Sequence, residues 1–291
     1  MPEPLILVHG GAGLVPAESR ELHAEGCANA AKVGGAVLNS GGSALDAVCA
    51  AVESLEDNPI YNSGTGCALT YDGGVSLDSS VMCGKTHRAG GVACLGPFRN
   101  PVRIAQCLLE EETILLAGVE AERWAEAKGF ERLQEDDLIV PSAAKAWKRV
   151  VQEGGACNWA GGTVGAVARD SDGDLAAATS TGGTMGKLPG RVGDSPLIGV
   201  GTYADEICAV SATGNGEAFM RAVFAARVAD RIRRGEEPSG AIQNVLNRIE
   251  REFQGNGGAI VVPKEGDFSA VKNTTTMSYG WWSPEDSGAD C

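Results

Sequence analysis

Apolar and polar positions along the chain follow two different periods. Leu5 to Val8 is an unbroken apolar run, which is typical of a buried strand. Residues 43–55 instead repeat apolar positions at helical spacing, with Ser43 at their start and Asp46 three residues further on. A serine followed three residues later by an acidic residue predicts a capped helix start. The chain therefore combines short buried strands with helices.

Turn residues divide the other apolar runs into further strands. Asp72-Gly73-Gly74 and Asp172-Gly173 each lie between two short apolar runs, and Asp-Gly pairs in this position predict hairpins. Other runs of four to seven residues with apolar and small side chains predict single strands. The predicted strands cover residues 68–71, 75–79, 92–95, 163–169, 175–181, 207–213, 259–262 and 268–272.

Longer stretches predict helices and a layered arrangement. Asn100-Pro101 favours a helix start, since proline is tolerated at the first helical position, and the pattern runs past Leu116 and on to Lys128. Strands rich in Ala, Gly and Val suit sheets that are covered on both faces, so the elements fit an α+β sandwich. The other predicted helices cover residues 142–152, 217–234 and 239–253, and residues 153–162 are predicted to be flexible.

The composition is that of one acidic domain. The 291 residues contain 24 Lys plus Arg against 38 Asp plus Glu, which gives a net charge of -14. Nucleic acids and anionic membranes carry dense negative charge, so we expect neither as a partner. No apolar run approaches the roughly 20 residues that cross a bilayer. We expect a soluble, cytoplasmic protein without internal repeats or a second domain.

Cysteines and histidines argue against disulfides and zinc. The nine cysteines are scattered, form no Cys-x-x-Cys pair and follow no secretory apolar segment, so we expect reduced and mostly buried thiols. The three histidines, His9, His23 and His87, lack the spacing of metal ligands. A zinc enzyme is therefore not expected.

Gly162-Thr163 offers a candidate for nucleophilic chemistry at the start of a predicted strand. A threonine hydroxyl is a poor nucleophile without a base within hydrogen-bond reach. Cleavage before Thr163 would create such a base, because the freed α-amino group has a pKa of about 7.7 to 8.0 and lies on the same residue. Gly162 tolerates the strained backbone that such a cleavage requires. By itself, however, a Gly-Thr pair before a strand is usually structural.

Six further motifs surround this pair in a fixed order. Three precede Thr163 and three follow it, and together they extend over most of the chain. They are Leu7–Gly13, Ala44–Val48, Asn58–Gly66, Ala178–Gly183, Gly190–Pro196 and Thr213–Glu217. In order and spacing they resemble the plant-type asparaginase and isoaspartyl peptidase family of N-terminal nucleophile hydrolases. The resemblance implies a four-layer αββα sandwich, which the composition alone does not select.

The resemblance also implies the catalytic roles. The chain is expected to cleave itself after Gly162 into residues 1–162 and 163–291, and Thr163 then serves as the nucleophile. Thr181 is expected beside it, although a threonine there also suits a simple strand end. Thr213 and Gly214 match the family's oxyanion hole, where a hydroxyl and a backbone N–H stabilise the negative charge on the attacked oxygen. A structural turn before the next helix is the alternative for both residues.

The head group of the substrate is assigned to the motif that begins at Gly190. Arg191 supplies a planar fork for a carboxylate and Asp194 a counter-charge for an ammonium group, as the resemblance implies for an amino acid. Without the flanking motif, a surface ion pair would explain the two residues better. The resemblance also implies that Gly216, in the motif that starts at Thr213, belongs to the same substrate site.

The resemblance implies three further segments that stabilise or assist the active site. His9-Gly10-Gly11 is similar to lipase and phosphate-loop glycine runs, but no Gly-x-Ser-x-Gly or Gly-Lys-Ser/Thr follows. The resemblance implies that Gly10 and Gly11 form a mobile loop that assists cleavage, and that Asn62 positions the Thr163 amine or the catalytic loop. No other cofactor is expected beyond a structural Na⁺ on backbone carbonyls of the segment that resembles the family's sodium loop. Those carbonyls belong to Leu55, Glu56, Asn58, Tyr61, Ser63 and Thr65.

Together these features predict an amidohydrolase for L-asparagine and β-aspartyl dipeptides, with a dimer of αβ pairs implied by the family. Two alternatives stay open. A glycosylasparaginase would share the chemistry, but Gly rather than Asp precedes Thr163 and no secretory signal is seen. An unprocessed amino-acid-binding protein would keep only the pocket of Arg191 and Asp194.

Overall fold

The computed structural model describes residues 3–154 and 162–291, which contain eight α-helices and twelve strands. The predicted flexible segment 153–162 lies mostly outside these residues. The strands are β1 (Leu5–Gly13), β2 (Leu77–Cys83), β3 (Ala89–Leu95), β4 (Leu115–Ala117), β5 (Val164–Arg169), β6 (Leu175–Thr181), β7 (Thr202–Ala204), β8 (Cys208–Gly214), β9 (Gly257–Pro263), β10 (Ser269–Lys272), β11 (Thr276–Trp282) and β12 (Ser287–Asp290). The helices are α1 (Arg20–Asn39), α2 (Ala44–Glu56), α3 (Pro101–Cys107), α4 (Gly118–Ala127), α5 (Pro141–Trp147), α6 (Gly216–Ala222), α7 (Phe224–Arg233) and α8 (Pro238–Phe253).

The strands form two sheets. The larger sheet has eight strands in the order β12-β11-β1-β5-β6-β2-β3-β4, and the smaller has four in the order β10-β9-β8-β7. Only the β3–β4 pair is parallel in the part of the chain that the structure describes. The central strands β5 and β6 are buried along their whole length. Their Ala, Gly and Val residues therefore lie in a sheet covered on both faces, as the composition of these strands predicts.

Three apolar clusters stabilise this arrangement. The first joins α1, α2 and α3 to the larger sheet and includes Ile6, Val52 and Leu55. The second joins α6, α7 and α8 to the smaller sheet. The third lies where the two sheets face each other, and Leu7 of β1 and Ile260 of β9 are among its members. The fold is thus mixed α and β, with two sheets that carry helices.

Several sequence predictions are confirmed. Helix α2 begins directly after Ser43, whose hydroxyl accepts a hydrogen bond from the backbone N–H of Asp46 at 3.1 Å. Helix α3 begins at Pro101. Strands β5 and β6 pair as a hairpin, and the carboxylate of Asp170 accepts the N–H groups of Asp172 and Asp174 in its turn. Each of these features depends on side chains within a few residues, so the sequence was sufficient to predict it.

Two predicted helices are wrong in extent. The helix that starts at Pro101 ends at Cys107, and residues 115–117 form strand β4 instead of continuing it. Strand β3 offers an open edge there, and its Gly91 N–H donates to the carbonyl of Ile114 at 2.7 Å. The predicted helix over 217–234 is broken at Val223, which has a φ of 50° and separates α6 from α7. Tertiary pairing and packing override helical spacing at both places.

The first predicted hairpin is also wrong in extent. Residues 69 and 75 form a single bridge, and the regular strand begins only at Leu77. The Thr70 hydroxyl accepts the Gly74 N–H at 2.9 Å and closes the turn, so residues 68–71 do not extend into a strand.

Sequence analysis missed α1, β7, β11 and β12. Helix α1 has glycines at positions where a larger side chain would collide with neighbours; a methyl group on Gly35 would lie 2.2 Å from the ring of Trp282. Because glycine weakens a helix, these positions hide the helical pattern and only packing explains them. Among the described residues, no helix has the length and apolar character needed to cross a membrane.

Candidate active site

Thr163 lies at the end of a central strand of the larger sheet. It directly precedes β5, which runs between β1 and β6. The antiparallel register pairs Val164 with Ser180, so Thr163 comes next to Thr181 at the end of β6. The Thr163 hydroxyl donates to Thr181 Oγ1 at 3.1 Å, and Thr163 is 9% exposed. The hairpin thus brings together the two hydroxyls that the sequence placed in one site.

A tight turn after β6 holds Thr181 in place. The Gly183 N–H donates to Thr181 Oγ1 at 2.9 Å, so the strand-end alternative for Thr181 also applies. Asn62 supports this turn, because its Nδ2 donates to the Gly183 carbonyl at 2.6 Å and its own carbonyl accepts the Gly182 N–H at 2.8 Å. Its Oδ1 accepts the Ala68 N–H at 2.6 Å. Asn62 therefore holds the turn that follows Thr181, and no hydrogen bond joins it to Thr163 in residues 3–154 and 162–291.

The glycine run predicted as a mobile loop is instead the end of strand β1, and it approaches the predicted cleavage position. Gly11 has a φ of 107°, and a methyl group on it would lie 2.4 Å from the Cα of Gly162. A side chain at Gly11 or at Gly162 would therefore require the backbone of the other residue to move. Gly10 packs against Tyr61 in the same way. The structure thus places Gly11 beside Gly162 and Gly10 against Tyr61.

His9 precedes these glycines and is neutral. It is fully buried, and burial lowers its pKa to about 3, with the backbone of Thr163 opposing this shift. Its Nε2 lies 2.9 Å from the hydroxyl of Ser211 in the opposing sheet. A neutral histidine with this partner links the two sheets next to Thr163.

Thr213 and Gly214 reach the site from the end of β8. Thr213 Oγ1 accepts the backbone N–H of Ala12 at 3.1 Å, so its own hydroxyl hydrogen is available for another acceptor. Gly214 has a φ of 150°, and a methyl group there would lie 2.4 Å from the carbonyl oxygen of Asn256. The turn alternative holds as well, since Asn215 caps α6 by accepting the Ala218 N–H.

Arg191 and Asp194 lie on one loop but do not pair. Arg191 forms a two-pronged ion pair with Glu217, from Nε and Nη2 at 3.0 Å each, which the sequence analysis did not foresee. Asp194 is buried, and its Oδ2 has no partner among the described residues. Burial raises the Asp194 pKa to about 7, while Arg191 lowers it. Gly216 fits between them, since a methyl group there would lie 2.9 Å from both side chains.

One cavity of about 360 Å³ is lined by most of the predicted catalytic and substrate-binding residues. Sequence analysis identified eight of its lining residues and missed six whose local patterns carry no chemical signal: Ala12, Gly183, Thr184, Met185, Asn215 and Asn256. A larger cavity of about 530 Å³ lies between α7 and α8 and contains none of the predicted site residues. The predicted residues in the smaller cavity are Asn62, Gly162, Thr163, Thr181, Arg191, Asp194, Thr213 and Gly214.

The segment 55–65 forms a compact series of turns beside Asn62. The Thr65 N–H donates to the Glu56 carbonyl at 2.9 Å and closes the segment. A methyl group on Gly64 would lie 2.7 Å from the Glu56 carbonyl oxygen and 2.6 Å from that of Arg99, so carbonyls converge here. The Glu56 side chain is buried, and burial raises its pKa to about 8, with Ser180 as the main opposing hydrogen-bond donor. No cluster of His, Cys, Asp and Glu suited to a metal occurs in residues 3–154 and 162–291.

Comparison with known proteins places the chain in a family. The asparaginase family model matches residues 2–289. The isoaspartyl peptidase/L-asparaginase of Danio rerio is 39% identical over 282 residues, which cover 95% of this chain and 91% of that protein. The protein of the same name from Mus musculus is 40% identical over 284 residues, covering 95% and 86%. The plant-type L-asparaginase of Thermococcus kodakarensis is 39% identical over 296 residues, covering 95% of both. The chain belongs to the asparaginase family.

Proposed function

We propose that this protein is a self-processing amidohydrolase that converts L-asparagine to L-aspartate and ammonia and cleaves β-aspartyl dipeptides. The names of the relatives from Danio rerio, Mus musculus and Thermococcus kodakarensis support both activities. The observation that carries the proposal is the convergence of Thr163, Thr181 and Thr213 with Arg191 and Asp194 in one cavity. Hydroxyl nucleophile, oxyanion donor and amino-acid head-group site are then within reach of one small substrate.

Cleavage between Gly162 and Thr163 is the first step of the proposed mechanism. It produces residues 1–162 and 163–291 and frees the α-amino group of Thr163. The close approach of Gly11 to Gly162 supports this step, because the backbone there is packed without side chains that would shield the Gly162 carbonyl from the Thr163 hydroxyl. Thr181 lies 3.1 Å from that hydroxyl and can orient it.

Amide hydrolysis then proceeds in two stages. The Thr163 amine accepts the hydroxyl proton while Oγ1 attacks the side-chain amide carbon of asparagine, and Thr213 and Gly214 donate to the resulting oxyanion. The protonated amine gives its proton to the leaving nitrogen, and ammonia departs from a β-aspartyl ester. Water, deprotonated by the same amine, hydrolyses that ester to aspartate and regenerates Thr163. A β-aspartyl dipeptide releases an amino acid instead of ammonia.

Head-group binding explains why Arg191 and Asp194 share a loop. The substrate's α-carboxylate would meet the guanidinium of Arg191, and its α-ammonium would meet the unpartnered Oδ2 of Asp194. A buried carboxylate without a partner is costly, so an incoming ammonium group offsets that cost. Glu217 orients Arg191 by an ion pair at 3.0 Å.

Substrate affinity should depend on pH through Asp194. Its pKa of about 7, raised by burial, means that Asp194 loses its charge as the pH falls through neutrality. We expect the KM for L-asparagine to rise by about tenfold for each pH unit below this pKa. The measurement is KM between pH 5 and 9; kcat serves less well, because the Thr163 amine also titrates near pH 8. Asp194→Asn should have a high KM at every pH. If the KM of that variant rose at low pH as it does in the wild type, the assignment would be contradicted.

The four-layer αββα sandwich is the arrangement that we propose for the fold. Three apolar clusters support it: one between helices and the larger sheet, one between the sheets, and one between the smaller sheet and its helices. Three contact planes are what four stacked layers require.

A structural Na⁺ is proposed for the segment 55–65. Convergent carbonyls around Gly64 fit a hard cation, which prefers oxygen ligands. The carbonyls of Glu56 and Asn58 each accept one backbone hydrogen bond, which leaves one lone pair on each, whereas that of Leu55 accepts the N–H groups of Asp57 and Asn58. The ion would stabilise the turns that carry Asn62 and take no part in the reaction. The carbonyls that would hold it are those of Leu55, Glu56, Asn58, Tyr61, Ser63 and Thr65.

Replacing Na⁺ by choline tests this proposal. An ion bound only by the folded state stabilises it by about 2.7 kcal/mol at a hundred times its dissociation constant. We expect the thermal midpoint to rise with NaCl at constant ionic strength, and Gly64→Ala to abolish that rise, since its methyl group would crowd the Glu56 carbonyl. An equal midpoint in NaCl and choline chloride would contradict a sodium site.

Assembly and location are further proposals. We propose a dimer of αβ pairs, no nucleic-acid or membrane partner, and a cytoplasmic location. The eight cysteines that the structure describes are free thiols, which supports a reducing compartment. The net charge of -14 is unfavourable for polyanionic partners. Light scattering of the cleaved protein would test the dimer.

Denaturing intact-mass spectrometry with an ammonia-release assay tests the proposed function. Two fragments, the second starting at Thr163, together with hydrolysis of L-asparagine, are the expected result. Preferred hydrolysis of a glycosyl-asparagine would favour a glycosylasparaginase. A persistent single chain that binds L-aspartate would favour the binding protein.

A further inference from the structure

Lys187 is a buried lysine behind the wall of the active-site cavity, and the proposed mechanism does not use it. Only 6% of its surface is exposed. Its Nζ donates to the carbonyl oxygens of Ser76 at 2.5 Å and Gly182 at 2.7 Å. A buried ammonium group is costly unless other groups compensate its charge. Lys187 therefore requires a negative charge close by.

Asp78 provides the compensating charge and contacts the substrate loop. Burial lowers the pKa of Lys187, and the negative charge of Asp78 is the largest effect in the opposite direction. Asp78 is fully buried in β2, directly opposite Thr181 in the register with β6. Its carboxylate accepts the N–H of Cys94 at 2.9 Å and that of Gly193 at 3.2 Å. Since Gly193 lies between Arg191 and Asp194, Asp78 ties their loop to the sheet.

Lys187 itself reaches the turn next to the nucleophile. Gly182, whose carbonyl it binds, follows Thr181 in the chain. A methyl group on Gly183 would lie 2.9 Å from Lys187 Nζ and 3.2 Å from Arg191 Nη1. The ammonium and the guanidinium therefore lie close to the same glycine, which lines the cavity. Two positive charges converge where a substrate carboxylate would bind.

We propose that Lys187 is a positioning residue for substrate binding: its ammonium group fixes the turn at 182–183 and adds positive charge beside Arg191 for the α-carboxylate of the substrate. Asp78 balances this charge and holds the loop of Arg191. The inference rests on the proposed function, because it assigns Lys187 to the same head-group site. Loss of the Lys187 charge should weaken the binding of substrates that carry an α-carboxylate more than the binding of those without one.

Lys187→Met tests this role with two amides. L-Asparagine carries the α-carboxylate, whereas 3-aminopropanamide is the same molecule without it. We expect the ratio of their kcat/KM values to fall by about tenfold or more in the variant, with the loss for asparagine mainly in KM. General loosening of the turn would slow both amides alike. An unchanged ratio would therefore overturn the proposal.

Two further variants complete the test. Lys187→Gln keeps an amide donor for the carbonyls but removes the charge, so it should fold even if Lys187→Met does not, and its ratio should fall as well. Lys85→Met is the matched control, because Lys85 is 61% exposed and pairs with Asp174 on the surface; its ratio should equal that of the wild type. Absence of asparagine hydrolysis by the wild type would overturn the proposed function, whereas an active Lys187→Gln with an unchanged ratio would overturn only the role of Lys187.

Discussion

Replacement of Thr163 by alanine is expected to abolish both chain cleavage and amide hydrolysis. The alanine variant lacks the hydroxyl that attacks the Gly162 carbonyl in the first event and the substrate amide in the second. Removal of a nucleophilic hydroxyl costs about a millionfold in kcat in well-studied hydrolases, so no ammonia release above background should remain. Denaturing mass spectrometry should show one uncut chain. Thermal unfolding should be nearly unchanged, because Thr163 contributes one hydroxyl contact to Thr181.

Thr163→Ser is the matched control for this variant. Serine keeps the hydroxyl and the α-amine after cleavage, so it should be cut and should retain measurable activity. If Thr163→Ala were cut at the same bond or hydrolysed asparagine, another nucleophile would be at work. If Thr163→Ser remained uncut and inactive, the methyl group rather than the hydroxyl would be the important feature.

Replacement of Thr213 by valine is expected to have the next largest effect. Valine has nearly the same shape but cannot donate a hydrogen bond to the oxyanion. Loss of one such donor lowers kcat by about a hundredfold to a thousandfold in other hydrolases. KM should change little, because the charge on the oxygen develops only in the transition state. Steady-state kinetics on cleaved protein, with cleavage verified by mass spectrometry, is the measurement.

Thr113→Val is the control for Thr213→Val. Thr113 is exposed in the connection between α3 and β4, away from the cavity, and its replacement should leave kcat unchanged. A kcat for Thr213→Val within about threefold of wild type would remove Thr213 from the oxyanion hole. In that case the hydrogen bond from Ala12 would be its only role.

The sequence predicted the reacting and substrate-binding residues of the site, but not the residues that hold them in position. Thr163, Thr181, Thr213, Arg191 and Asp194 stand in motifs with a defined order, and the structure brings all five to one cavity. Glu217 was not predicted as a partner of Arg191, although it ends one of the motifs. An exposed acidic residue at a helix start has an ordinary local explanation, so nothing in the sequence pointed to Arg191.

The sequence alone determined the features that depend on neighbours along the chain. The Ser43 cap, the start of α3 at Pro101 and the hairpin after Arg169 follow from side chains that act within a few residues. The small apolar residues of β5 also predicted a strand covered on both faces. Such features need no knowledge of what packs against them, because their hydrogen bonds close locally.

Only the tertiary structure decided the features that depend on distant segments. Strand β4 formed where a helix was predicted, because β3 offered it an edge. The glycines of α1 make sense only against side chains such as Trp282. Lys187 and Asp78 looked like ordinary polar residues until the fold buried both of them around the substrate loop. Burial and charge compensation arise from residues far apart in sequence, so no local pattern can contain them.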